Sequence, residues 1–385
     1  MTFFTRSVAA RLASLAIALC LPWGAAAAPY SEQLDRTIER LQQESVVLAA
    51  AIKNPDPSIG APVGPGPAFK LSDVGDRVAR LTQRLVALNL LAPADAGDVF
   101  TPAVEDAVKA LQIDHQLNGD GRVGAATLAL LDRTPRQSLA DIQDTIAQIH
   151  QLRTALPADI VLVNLPSQTV TVIRHGEEVV TMRAVVGRPS RETPLLHDEI
   201  THVVVNPTWT VPTTVMKVDK LPLLRRRGNP GIQGASVYLD GAPVLPELVD
   251  WSTVSPGRIR IVQAPGDFNA LGRFKFNLTN SDSIYLHGTN DPKVFDRDSR
   301  SVSSGCVRLQ GARVLANMLL ADAGITPEKI DKMLDAGDTK WIRLPHPIPV
   351  RFIYFTAGVD PQNRVTYYPD IYAMGHRAAA AGSST

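Results

Sequence analysis

Apolar residues at Leu34, Ile38, Leu41 and Leu48 fall on one helix face and predict an amphipathic helix over 31–53, with Ser31 as its cap. Five prolines and three glycines come next within 54–67, a composition that predicts an extended connector. A second helical pattern occupies 71–133. Val78, Leu81, Leu85 and Leu88 share one face, Val104, Val108 and Leu111 another, and a Gly119-Asp120-Gly121 turn precedes a third helix near Gly124. Together they predict a small three-helix domain, with a connecting helix after it within 134–157. From 158 the period drops to two. Short β-rich runs at 160–163, 170–172, 179–180, 200–205, 258–262, 274–278, 283–287 and 350–355 predict a mainly-β domain over 158–376. Residues 217–257 are polar and turn-rich, basic at Arg225-Arg226-Arg227, and read as an excursion from the sheet that caps a site. The fold class is thus multidomain, a small helical domain followed by a β-rich one, with a flexible tail at 377–385.

Charge narrows the partners. The sequence has 39 Lys and Arg against 38 Asp and Glu, so its overall field gives no reason to expect a nucleic-acid partner. The first residues indicate the compartment: Arg6 and Arg11 precede an apolar run from 12 to 21, then small residues to Ala28, the pattern of a signal peptide over 1–28. The run is shorter than the roughly 20 residues of a spanning helix, so no stable membrane span is expected after cleavage. Of the two cysteines, cleavage removes Cys20 and leaves Cys306 as a lone thiol in an oxidising compartment.

A lone cysteine is either a small core residue or a reactive thiol, and its surroundings decide. In Ile284-Tyr285-Leu286-His287 the side chains alternate, so Tyr285 and His287 share a face, with His287 at a strand end before Gly288. Ser303-Ser304-Gly305-Cys306-Val307-Arg308 places the thiol after a glycine, where the N–H groups of Gly305 and Cys306 can point outward as an oxyanion hole. A thiol attacks as thiolate, and histidine is the side chain suited to take its proton near neutral pH. Arg308, two residues on, suits a carboxylate ligand or a structural ion pair. Tyr285 suits packing beside His287, Trp209 the core or a cleft lining, and Thr289 and Ser304 local turn bonds or bonds that fix the two loops. His197 and His202 have no cysteine partner and neither HExxH nor paired CxxC occurs, so no metal or cofactor is expected.

His287-Gly288-Thr289 followed by Ser304-Gly305-Cys306-Val307-Arg308 resembles the signature of the L,D-transpeptidase catalytic domain, also called YkuD. Val185-Val186-Gly187-Arg188-Pro189, Thr193-Pro194, Asn206-Pro207-Thr208-Trp209-Thr210-Val211-Pro212 and Asn269-Ala270-Leu271-Gly272-Arg273 with Phe276 are similar to its YcbB-type branch. That branch joins the catalytic domain to a peptidoglycan-binding domain. Asp73-Val74-Gly75-Asp76, Phe100-Thr101-Pro102-Ala103-Val104 and Leu117-Asn118-Gly119-Asp120-Gly121-Arg122-Val123-Gly124 resemble the latter, with Leu111-Gln112 in place of the usual Phe-Gln. The resemblance implies a periplasmic enzyme that forms 3–4 peptidoglycan crosslinks through a Cys306 acyl-enzyme on tetrapeptide stems. His287 is its implied base, the Gly288 carbonyl orients the ring, and carbapenem-type β-lactams are the implied inhibitors. The same half-reaction serves a carboxypeptidase, an endopeptidase or transfer to another amine or protein, and a non-catalytic peptidoglycan-binding protein is the contrasting class.

Overall fold

The computed structural model describes residues 29–57, 60–115 and 117–375. The signal peptide and the tail expected at 1–28 and 377–385 lie outside the described residues. Helix α1 (Tyr30–Lys53) buries Leu34, Ile38 and Leu41. It starts after Pro29 rather than at a Ser31 cap, because the Tyr30 N–H is held by the Gly176 carbonyl at 2.7 Å. Helices α2 (Asp76–Ala87), α3 (Pro102–Asp114) and α4 (Ala125–Leu131) share one core with Val63 and Phe69. Part of the expected connector is thereby corrected. Val63 is fully buried, and the N–H groups of Val63 and Gly64 donate to the Asp132 carboxylate at 2.8 and 2.9 Å.

Helix α5 (Pro135–Arg153) opens on a capping box in which Thr134 and Gln137 satisfy each other's backbone N–H groups. It packs with α1 against Ile160, Leu162, Ile173 and Phe355, forming a helical layer outside the sheet. Helix α1 therefore belongs with the β domain, a long-range contact that its own periodicity does not specify.

The sheet begins with β1 (Ile160–Asn164), β2 (Thr169–Arg174), β3 (Glu177–Gly187) and β4 (His197–Val205). The chain then leaves it for β5 (Trp209–Thr210), α6 (Thr213–Val215), one π-helical turn (Met216–Lys220), α7 (Leu221–Arg227), β6 (Ala235–Leu239), β7 (Ala242–Val244) and β8 (Ile259–Gln263). These strands form a separate sheet in the order β5-β8-β6-β7, over a core that includes Leu224, Val237, Trp251 and Ile261. The excursion is wider than 217–257, since Trp209 pairs with Gln263 at its neck and the 258–262 run belongs to the small sheet.

The chain returns through β9 (Phe274–Asn277), β10 (Leu286–His287), β11 (Ser301–Ser303) and β12 (Val307–Leu309). It ends with α8 (Ala312–Ala321), α9 (Pro327–Ala336), β13 (Lys340–Ile353) and the hairpin β14 (Ala357–Val359) and β15 (Val365–Tyr367). The main sheet runs β11-β3-β12-β10-β9-β4-β13-β1-β2, and β2 also pairs with β3, so it closes on itself. Strand β13 outruns the expected 350–355 because Pro345 and Pro347 fall in its irregularity between Arg343 and Ile348, hiding the alternation. One hydrophobic core fills the interior and takes in Leu315 and Leu319 of α8. No helix of the described residues is long and apolar enough to cross a membrane.

Candidate active site

Strands β10 and β12 run parallel, with Leu286 opposite Val307 and His287 opposite Arg308. Leu286 and Val307 are fully buried in the core, so alternation turns His287 and Arg308 to the other face. One residue earlier, the Val307 N–H donates to the Tyr285 carbonyl at 3.1 Å, which brings Cys306 beside Tyr285. Only Leu286 and His287 of the expected 283–287 run are ladder residues, since Ser283 adopts a left-handed φ of 60°. Tyr285 and His287 still share a face, with ring centroids 5.5 Å apart.

The loop before the thiol is pinned from several sides. Gly305 has φ 116°, and a Cβ there would meet Ile284 Cδ1 at 3.2 Å. Its carbonyl accepts from Thr193 Oγ1 at 2.7 Å, and Thr193 Oγ1 in turn accepts from the Gly187 N–H at 2.8 Å. Ser303 Oγ donates to the Cys306 carbonyl at 2.7 Å and accepts from the Gly305 N–H at 3.1 Å. Of the expected oxyanion pair, the Gly305 N–H donates to Ser303 Oγ, and the Cys306 N–H makes no hydrogen bond among the described residues. Ser304 Oγ accepts from Arg191 at 2.8 Å, while Arg191 also grips Asp219 of the π-helical turn with bonds of 2.7 and 2.9 Å. Ser304 thus ties the thiol loop to the cap. The Thr289 hydroxyl closes its own turn, accepting from the Asp291 N–H at 3.1 Å.

His287 is buried and its Nδ1 has no hydrogen-bond partner. The carbonyls of Leu271 and Gly288 accept from the ring. Burial first, then the positive charges of Arg308 and Lys275, push its pKa down to about 3, so the imidazole is neutral. Gly272 lets this happen: at φ 64° it passes so close that a Cβ would lie 2.5 Å from the Thr289 nitrogen.

Burial raises the pKa of the Cys306 thiol, while Tyr285, through its backbone amide and hydroxyl, and Lys275 and Arg308, through their charge, counteract the rise. Sγ donates to the Ser283 carbonyl at 3.6 Å, and no hydrogen bond joins it to His287. Half-buried Trp209 donates to the Tyr285 hydroxyl from the neck of the cap. The Arg308 side chain makes no hydrogen bond and no close ion pair among the described residues, although the charge of Asp291 acts on it, and its Nε is buried without a partner. The structural ion pair that is one reading of Arg308 is not formed.

Sequence reasoning misses Lys275, whose charge acts on both Cys306 and His287. The signal is present in Phe274-Lys275-Phe276, where alternation sets the lysine opposite two buried aromatics.

Residues 158–338 match the family model described as "YkuD: L,D-transpeptidase catalytic domain", and residues 74–131 match the "Putative peptidoglycan binding domain" model. A curated protein of Haemophilus influenzae, "Putative L,D-transpeptidase", is 37% identical over 217 residues, 55% of this chain and 44% of that protein. The chain thus spans less than half the length of this relative. Among solved structures, an L,D-transpeptidase from Stackebrandtia nassauensis is 14% identical over 74% of this chain and 94% of its own, with a TM-score of 0.26. L,D-transpeptidase 3 from Mycobacterium tuberculosis, in complex with a faropenem-derived adduct, is 15% identical over 51% of this chain and 60% of its own, also at TM-score 0.26. On the family models and the curated relative, residues 158–338 are similar to the YkuD L,D-transpeptidase catalytic domain and residues 74–131 to a peptidoglycan-binding domain.

Proposed function

We propose that the chain forms 3–4 crosslinks in peptidoglycan by acyl transfer from a tetrapeptide stem, in the periplasm after export. The observation that carries this reading is one face of β10 and β12 on which a lone thiol, a neutral imidazole with a vacant Nδ1 and an unpaired arginine come together. Cys306 gives its proton to His287 and attacks the carbonyl of the third stem residue. The C–N bond to the terminal D-Ala breaks, the leaving amine takes the proton, and a thioester remains. The amine of a neighbouring stem then attacks the thioester, gives up a proton through His287 and restores the thiol. For the first step Sγ turns from the Ser283 carbonyl toward Nδ1; such bonds are often formed only with substrate bound.

The remaining residues have positioning roles in this scheme. The carbonyls of Gly288 and Leu271 hold the imidazole tautomer that leaves Nδ1 free, as a carboxylate does in other triads. The Cys306 N–H faces the developing oxyanion, and Gly305 gives the loop the backbone angle that exposes it. Arg308 binds a stem carboxylate in the fork geometry of its guanidinium. Trp209 orients the Tyr285 hydroxyl, which stabilises the thiolate, while Ser304 and Thr289 fix the two loops. Carbapenem-type β-lactams acylate Cys306 by the same attack, opening the lactam to a thioester. The helical domain holds the enzyme on its polymer.

Incubating the protein with tetrapeptide muropeptides and separating the products tests the reading. Stem dimers that disappear in Cys306→Ala are expected. Tripeptide monomers alone would make the chain a hydrolase, and unchanged stems bound by the helical domain would leave a non-catalytic binding protein.

A further inference from the structure

Lys275 stands on β9 between Phe274 and Phe276, which are 4% and 0% exposed. Its own side chain therefore leaves the core for the face where His287 is its partner across the ladder. The ammonium lies 4.3 Å from the ring centroid of Tyr285 and 5.6 Å from that of Trp341, a ring 59% exposed to solvent. It makes neither a hydrogen bond nor an ion pair with any described residue. Two aromatic faces compensate only part of the hydration that an ammonium loses on partial burial. Nearby cations are otherwise provided for: Arg191 is gripped by Asp219, and Arg273 by Asp267 at 3.1 Å.

Lys275 and Arg308 are two cations on this face whose side chains make no hydrogen bond or ion pair among the described residues, and their arrangement is specific. They sit opposite His287 from either side, Lys275 on β9 and Arg308 on β12. Strands lie about 4.8 Å apart, so their backbones are separated by roughly 10 Å of sheet. With one cation on each side of the histidine, a ligand with two carboxylates, one on each side of the bond being attacked, meets both.

We infer that Lys275 reads a carboxylate of the donor stem: Arg308 holds one carboxylate on the β12 side of Cys306, and Lys275 holds a second on the β9 side, beside Trp341. This rests on the reading of peptide stems as substrate and sharpens it to a dianionic donor. The stem ends in one carboxylate, and a third residue with an acidic side chain brings another. Both present the same chemistry to an ammonium. The competing role for Lys275 is to act only through its field on the thiol. A field on Sγ favours attack on every electrophile alike, whereas a carboxylate reader distinguishes substrates that carry the carboxylate from those that do not.

The full chain and its Lys275→Met and Lys275→Arg variants are assayed with three stems: the tetrapeptide, its C-terminal amide, and the tetrapeptide amidated at the third-residue side chain. A hydrogen-bonded charge pair predicts that Lys275→Met raises KM about tenfold or more for the free acid and for one of the amides. The other amide shows the same KM in wild type and variant, which identifies the carboxylate that Lys275 holds, and Lys275→Arg restores most of the affinity. In parallel, the pH profile of Cys306 alkylation by iodoacetamide reports the thiol without any stem. Equal losses on all three stems, tracking a shift in that profile, would overturn the inference in favour of a field effect, as would no loss on any stem. A wild-type protein whose thiol alkylates normally yet converts none of the stems would remove the stem-peptide reading itself and the inference with it.

Discussion

Gln112 in the helical domain and His287 in the catalytic domain are both buried polar side chains, and their surroundings treat them in opposite ways. The Gln112 amide nitrogen is shared among Asp120 Oδ1, the Arg122 carbonyl and Thr127 Oγ1 at 2.9 to 3.1 Å, and its oxygen accepts from the Gly121 N–H at 2.8 Å. Every polar atom is matched, so the side chain specifies the Gly119 to Gly124 loop and has no capacity left for a ligand. His287 keeps a buried Nδ1 without a partner, and Arg308 keeps a buried Nε without one. Satisfied burial is what a structural loop needs; unsatisfied burial costs stability and is retained where a substrate supplies the missing partner.

This contrast can be broken at several points. The largest effect is expected at His287, where replacement by Gln removes the base: turnover of tetrapeptide stems should fall by roughly a hundred- to ten-thousand-fold. The circular dichroism of the folded state should be preserved. Gln112→Leu strips partners from the Gly121 N–H and from the loop oxygens, and should cost about 2–4 kcal/mol in the unfolding of the helical domain. Turnover of small soluble stems should be unchanged, because Cys306 stands in another domain. Arg308→Met should do the reverse. An unpaired, partly buried charge gives way to an apolar chain of similar length, so the melting temperature holds or rises. KM for the stem meanwhile increases roughly ten- to a hundredfold.

The effect that is smallest per step, taken one pH unit at a time, sharpens the comparison. His287 has an ordinary pKa of 6.5 and is pushed down to about 3 by burial and by Arg308 and Lys275. The unfolded chain binds its proton below pH 6.5 while the native chain does not. Stability is therefore intact above 6.5 and declines as pH falls toward 3, with a slope of about 1.4 kcal/mol per unit from this group. Chemical denaturation at pH 7, 6, 5 and 4 should show that slope in the wild type and its loss in His287→Gln.

The two regions also differ in how much their sequence discloses. Local patterns carry local information: the thiol after a glycine and the histidine ending an alternating run are visible, as are the helix faces of Leu81 and Val108. Partners distant in the chain are not. Lys275 stays hidden because Phe274 and Phe276 mark a buried strand without saying which neighbour the side chain between them meets. Thr193 carries its hydrogen bond to Gly305 across 112 residues, and Val63 reads as part of a Pro/Gly connector until the helical core closes over it. The Gly305 N–H reads as free because nothing in Ser303-Ser304-Gly305 reveals that the Ser303 hydroxyl folds back onto it.

The covalent step is tested most directly by acid-quenching the protein in the first moments of reaction with a tetrapeptide stem and measuring its intact mass. Wild-type protein should carry one added tripeptide acyl group, the stem less its terminal D-Ala, mapping to Cys306 after digestion, and Cys306→Ala should carry none. Stem dimers accumulating with no adduct at any time, or formed by Cys306→Ala at the wild-type rate, would contradict the account.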